Sequence, residues 1–203
     1  MDATPARTDR WAFDRSDRVG LRIALGAVVL GAILVQVVGP VVQWVRGAPV
    51  RSALTGQVRV PALDTVGTGY GEATYEVELA DPSTGQRLLD LAPGLVSLVL
   101  LLVGSWLVLR IMRSVASGDP FTATTVRRLR QLAAVLLLGP LALVVLTPVV
   151  SGVLLSQVDL GDVAPAFRLE LPWLPLVGGL VVALLAEAFR AGATLREDLE
   201  GLV

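Results

Sequence analysis

The chain has 203 residues, 54% hydrophobic and 17% charged, with a mean hydropathy of +0.69 and a net charge of −1. The charged share falls well below the roughly 25% usual in soluble domains, and so small a net charge supplies no global field toward nucleic acid, so direct nucleic-acid binding is not expected. With no cysteine and no histidine, the chain lacks thiolate and imidazole metal ligands and the base of a Ser-His or Cys-His nucleophile, so no enzyme activity, cofactor or metal site is expected.

The apolar excess gathers in runs of about twenty residues, long enough to cross a hydrocarbon layer of roughly 30 Å at about 1.5 Å per residue. Residues 1–20 are polar, with Arg7, Arg10, Arg15 and Arg18 interleaved with Asp2, Asp9, Asp14 and Asp17, and read as a short tail before a retained anchor. A first span is expected at 21–45. Ala27 and Gly31 offer a small face to another helix, Pro40 should loosen the last turns, and Trp44 falls at interfacial height.

The polar segment 46–91 follows. Thr74 to Leu79 alternates, with Tyr75, Val77 and Leu79 on one face and Thr74, Glu76 and Glu78 on the other, which is the period of a half-buried strand. Asp81-Pro82-Ser83-Thr84-Gly85 reads as a turn, 86–91 as a return strand, and 57–60 as a third short strand. A second span is expected at 92–112, with Pro93 in its first turn.

The one markedly basic stretch lies at 110–130. It carries Arg110, Arg113, Arg127, Arg128 and Arg130 against the single acid Asp119. Gly118-Asp119-Pro120-Phe121 reads as a break and restart, with Asp119 capping a new helix and Pro120 taking its first position. That helix should run into a third span at 131–155, bent at Pro140 and Pro148. Residues 156–171 are polar, and Phe167 to Leu171 alternates like another strand. A fourth span is expected at 172–193, and an acidic tail at 194–203 closes the chain.

Charge sums give +1 for 1–22, −2 for 46–91, +4 for 110–130, −2 for 156–172 and −2 for 187–203. Arginine and lysine stay on the cytoplasmic side of a membrane. The segments therefore predict an all-α membrane protein with four transmembrane helices, both termini cytoplasmic and a basic cytoplasmic loop at 113–130. The alternating stretches within 57–91 and 157–171 would join in a small extracytoplasmic β-rich cap, since three or more strands persist where a lone hairpin is marginal.

Two blocks carry a family likeness, SGDPF at 117–121 with VRRLR at 126–130, and LAEAFRAGATLRED at 185–198. With four spans around them they resemble the bacterial membrane family known as domain of unknown function 2975, across most of the chain. The resemblance implies a multi-pass protein of the bacterial cytoplasmic (inner) membrane with no established activity. It also implies, by association only, a small cytoplasmic helix-turn-helix transcriptional regulator as partner.

Glu187 is the one acid inside a span, about fourteen residues or roughly 21 Å beyond Trp173. An ionisable group there is a functional candidate by default. The structural alternative is an intramembrane ion pair with Arg190, three residues on, or with Arg110, Arg113 or Arg130 of neighbouring helices. The arginine cluster suits anionic lipid headgroups or a protein partner, and the small residues of the first span permit a homo-oligomer. Two functions are thus carried forward. One is a signalling or regulatory membrane protein. The other is a small transporter or auxiliary subunit of one, for which Gln36, Ser97, Ser105, Thr147, Ser151 and Glu187, set in from the span ends, are a thin set of polar side chains.

Overall fold

In the computed structural model, which describes residues 15–59, 70–79, 81–117, 121–158 and 171–200, helices and a single hairpin alternate along the chain. The order is α1 (Arg15–Ile33), a π-helical turn (Leu34–Val38), α2 (Gly39–Val45), β1 (Val50–Arg59), β2 (Tyr70–Leu79), α3 (Thr84–Ala116), α4 (Ala123–Leu155) and α5 (Trp173–Glu200). Among the described residues, four stretches are long and apolar enough to cross a membrane: Val19–Val45, Thr84–Ala116, Ala123–Leu155 and Trp173–Leu195. The protein is therefore mostly helical and of the multi-pass membrane type.

The first of these stretches does not run as one regular helix. Pro40 has no N–H to donate, and its ring collides with the carbonyl four residues back when the preceding turn is an ordinary α turn. The chain widens that turn instead, and the Gly39 N–H donates to the Leu34 carbonyl, five residues back. After α2, Gly47 takes a left-handed conformation (φ 71°) and its N–H donates to the Trp44 carbonyl at 3.0 Å, which turns the chain into β1.

β1 and β2 form a two-stranded antiparallel hairpin in which Val50 pairs with Leu79, Arg51 with Glu78 and Ser52 with Val77. The alternation read at 74–79 holds at the base of the hairpin. Leu79 is buried and Glu76 and Glu78 are exposed, while Glu78 pairs with Arg51 across the strands at 3.0 Å. A lone hairpin is marginal in water, but this one is anchored. Val50 and Leu79 pack on Val150 and Leu154 near the end of α4, with Leu89, Leu146 and Val158 around them.

Several sequence expectations are corrected here. The stretch 86–91 is not a return strand but the opening of α3. Ser83 and Gln86 form a reciprocal capping box, the Gln86 N–H donating to Ser83 Oγ at 3.3 Å and the Ser83 N–H to Gln86 Oε1 at 2.6 Å. That signal outweighs a short apolar run, whose period does not separate helix from strand. Pro93 consequently lies inside α3 rather than in its first turn. The candidate strand at 57–60 is strand over Gln57 to Arg59, but as the end of the longer β1, and the sheet among the described residues has two strands, both from the first polar segment. Phe167 to Glu170 lie outside the described residues. The cap of α4 is Thr122, not Asp119: the Thr122 side chain accepts from the Thr125 N–H at 3.2 Å. Asp119 and Pro120 lie outside the described residues.

α4 is the central helix, packed against α3 on one side and α5 on the other. Two glycines set these approaches. A Cβ on Gly139 would stand 2.9 Å from Leu100 Cδ1 of α3, and one on Gly179 of α5 would stand 2.7 Å from Leu137 Cγ of α4. Without hydrocarbon exclusion between helices in lipid, such close backbone approach and its dispersion contacts supply the packing energy. α1 and the π turn lie on α3, where Gly94 leaves room for Gln36 with 3.3 Å from its Cβ position to the Gln36 carbonyl oxygen.

These contacts sort the connections into two ends. The hairpin, Gln86 and Gln157 meet at one end, where the Gln86 amide donates to Gln157 Oε1. The end of α3, the start of α4 and the last turns of α5 meet at the other. α3 and α4 each have 33 residues, about 50 Å of helix, so both project beyond a hydrocarbon layer of roughly 30 Å.

Candidate functional site at the arginine-rich end

Arginines cluster at this end because the end of α3 and the start of α4 both carry them, on turns that project past the apolar lengths of their helices. Arg110 stacks over its own helix neighbour Trp106, its guanidinium carbon 4.9 Å from the ring centre. Its backbone carbonyl accepts Arg128 Nη1 at 3.4 Å, which ties α4 back to α3. Arg113 and Arg127 are exposed, and among the described residues no carboxylate pairs with either.

Glu187 takes two cations. On its own helix, Arg190 donates Nε to Glu187 Oε1 at 2.8 Å, and Arg190 Nη2 bonds the same oxygen. From α4, Arg130 Nη2 donates to Glu187 Oε2 at 3.3 Å. One carboxylate thus bridges two helices, each of its oxygens facing a different guanidinium. Of the cations considered from sequence, Arg190 and Arg130 are brought to Glu187; Arg110 is engaged on α3.

Two further contacts have no counterpart in the sequence reading. Phe121, just before α4, lies against α5 with its ring centre 5.1 Å from that of Phe189. It sits close over Gly192, where a Cβ would stand 3.1 Å from the Phe121 ring and would require the ring to shift. The second contact is a hydroxyl chain. Thr125 is fully buried, with its Oγ1 2.6 Å from Ser114 Oγ of α3 and 2.9 Å from Thr122 Oγ1. A buried hydroxyl without partners is costly, and here it is satisfied on both sides, which pins α3 to α4. The available signal was compositional: Gly192 within Ala191-Gly192-Ala193, and a hydroxyl run at 122–125 before an apolar helix.

Among the described residues the arrangement holds neither a nucleophile–base pair nor a carboxylate pair. The ends of three helices are locked together by one ion-paired carboxylate, one aromatic contact and one hydroxyl chain. Exposed guanidinium groups stand at the edge of this arrangement.

The family described as "Protein of unknown function (DUF2975)" matches residues 72–203, which takes in both arginine-end blocks and leaves α1 outside the matched region. No curated protein and no solved structure matches the chain.

Proposed function

The chain belongs to the DUF2975 family, and we propose on that premise that it is a regulatory protein of the bacterial cytoplasmic membrane whose arginine-rich end docks a small cytoplasmic helix-turn-helix regulator. In this reading both termini and the 110–130 segment face the cytoplasm, and the hairpin is the extracytoplasmic cap. The positive-inside bias supports the orientation: five arginines lie at 110–130.

The observation that carries the reading is the construction of that end. Phe121 in the Gly192 slot, Glu187 between Arg130 and Arg190, and the Ser114–Thr125 pair hold the end of α3, the start of α4 and α5 together as a preformed platform. A surface ordered before its partner arrives loses less conformational entropy on binding. Arg127, exposed, and Arg128, held on the Arg110 carbonyl, would meet acidic groups of the partner.

The test is purification in mild detergent from the native cell, with mass spectrometry of what accompanies the chain. Recovery of a small DNA-binding protein, lost when Arg127 and Arg128 are both changed to alanine while membrane insertion persists, is the expected result. Equal recovery with the double variant would reduce the arginines to a topology signal. A transport path is the competing reading, but the polar side chains lining the large groove between the helices are the uncharged Ser97, Ser105 and Thr147, which is too little to carry an ion across.

A further inference from the structure

A small cavity of about 120 Å³ lies at the hairpin end, where α2, the turn after it, β1 and the opening turns of α3 meet. Its volume is well below the roughly 300–1,000 Å³ of drug-sized ligand sites, which limits an occupant to a handful of heavy atoms. Three features hold its walls. Pro40 and Pro49, both in the lining, have a fixed φ. The Ala48 N–H donates to the Gln43 carbonyl at 2.9 Å and closes the turn that contains Gly47. The guanidinium carbon of Arg87 stands 5.9 Å from the centre of the Trp44 ring, which joins α3 to α2. The cavity is therefore built before anything enters it.

Charges of both signs line this cavity: Arg51 of β1, and Arg87 and Asp90 of α3. Arg51 is already paired with Glu78 across the hairpin at 3.0 Å. Arg87 and Asp90 are left over, since neither has an ion-pair partner among the described residues. They stand three residues apart on one helix, a spacing at which opposite charges ordinarily meet. Here the Arg87 guanidinium lies over Trp44 instead, and Asp90 lines the same cavity without it. A lone anion in this space would meet Asp90, and a lone cation would meet Arg87. Such a lining favours a molecule that carries both charges.

We infer that this cavity binds a small zwitterion, its anionic group on the Arg87 guanidinium and its ammonium group on the Asp90 carboxylate. A guanidinium offers paired N–H donors to a carboxylate or a phosphate, and a carboxylate accepts from the N–H groups of an ammonium. Gln43 and Trp44 add an amide and a flat aromatic wall beside them. Two sources present this chemistry, a free amino acid and the phosphoethanolamine headgroup of a lipid. The inference needs neither the regulator nor the orientation proposed above, so it stands or fails separately from them.

The experiment uses the full chain, freed of lipid in detergent and titrated by calorimetry with glycine and with phosphoethanolamine, which carry the two charges on a short linker and little else. Acetate and methylamine are glycine with one charge removed, and ethyl phosphate and ethylamine serve phosphoethanolamine in the same way. Native mass spectrometry with phosphatidylethanolamine and phosphatidylglycerol of identical chains tests the lipid source. At least one zwitterion is expected to bind about tenfold or more tightly than its single-charge counterparts. A preference for glycine assigns the site to a free amino acid, and a preference confined to the two ethanolamine compounds assigns it to the headgroup. No preference for any of the three overturns the proposal. The variants separate the two charges. Asp90→Asn should erase the preference over the anion while the anion still binds, and Arg87→Gln should erase the preference over the cation. Full preference in both folded variants would place the zwitterion elsewhere and also overturn the proposal. The comparison on unaltered protein decides the matter even where a variant fails to fold.

Discussion

Glu187 has an exposed side chain and yet three donor contacts, from two arginines on two helices. Its removal therefore acts less through a lost bond than through what remains. Glu187→Gln leaves Arg130 and Arg190 close together with no negative charge between them, and like charges separate. The α4–α5 contact at this end is expected to loosen, with several-fold faster amide hydrogen exchange at 126–132 and 186–192 and no change at 84–90 near the opposite end. Arg130→Ala is expected to do less, because Arg190 still pairs with the carboxylate. Equal exchange in Glu187→Gln and the unaltered chain would show that Phe121 and the Ser114–Thr125 hydroxyls hold this end without the ion pair. The two adjacent glycines of α5 give a sharper contrast. Gly178 has nothing within 4 Å of its Cβ position, whereas Gly179 faces Leu137 Cγ at 2.7 Å and Leu136 Cβ at 3.2 Å. Gly178→Ala should be neutral or stabilising by about 0.5–1 kcal/mol through reduced backbone freedom. Gly179→Ala should cost about 1–3 kcal/mol through overpacking. Thermal unfolding of both in one detergent measures the difference, and identical melting points would mean that α4 and α5 do not approach as closely as described.

At the level of the element, the start of α3 is the instructive case. Ser83 and Gln86 each satisfy the other's backbone N–H, and loss of an N-cap side chain costs about 1 kcal/mol. Ser83→Ala is expected to fray residues 84–87, seen as faster hydrogen exchange confined to that turn, and to shift the overall melting point only slightly. Ser83→Asp should restore protection, because a carboxylate caps as well as a hydroxyl. The same element shows how far the sequence could be read. The four spans were legible because long uncharged runs have few alternatives, and the second half of β2 because Thr74 to Leu79 alternates. Residues 86–91 were misread since a short apolar run fits helix and strand alike, although the Ser83-x-x-Gln86 spacing pointed to a helix start. β1 was read only in part. Arg51-Ser52-Ala53-Leu54 alternates poorly, and its pairing with β2 is a contact between distant residues. At the arginine-rich end, the Glu187–Arg190 spacing is visible along one helix, but the choice of Arg130 over Arg110 or Arg113 depends on how α4 is rotated against α5. Phe121 and Gly192 are 71 residues apart, and nothing local to either announces the other.

For the whole molecule, the contacts fix which segments share an end. The hairpin base packs on the last turns of α4, while Phe121 just before α4 packs on α5 and Ser114 of α3 meets Thr125 of α4. Which end faces the cytoplasm then depends on charge. Since the chain contains no cysteine, single cysteines report sidedness without a background. Asp81 and Ser156 are exposed at the hairpin end, and Ser16 and Ala123 are exposed at the other. In intact cells an impermeant maleimide should label Asp81→Cys and Ser156→Cys, and should reach Ser16→Cys and Ala123→Cys only after permeabilisation. Labelling of Asp81→Cys and Ala123→Cys from the same side would overturn the four-span arrangement itself. The complete reverse pattern would keep the spans and overturn the orientation. The arginines can be tested in the same assay. If they hold the orientation, replacing Arg113, Arg127 and Arg128 with glutamine leaves only Arg110 and Arg130 at 110–130 against four arginines at 46–91, so the positive-inside bias at α3 is lost. A mixed population, with Ala123→Cys partly labelled in intact cells, is then expected. Unchanged sidedness would release these arginines from a topological role and leave ligand binding as the reason for their placement.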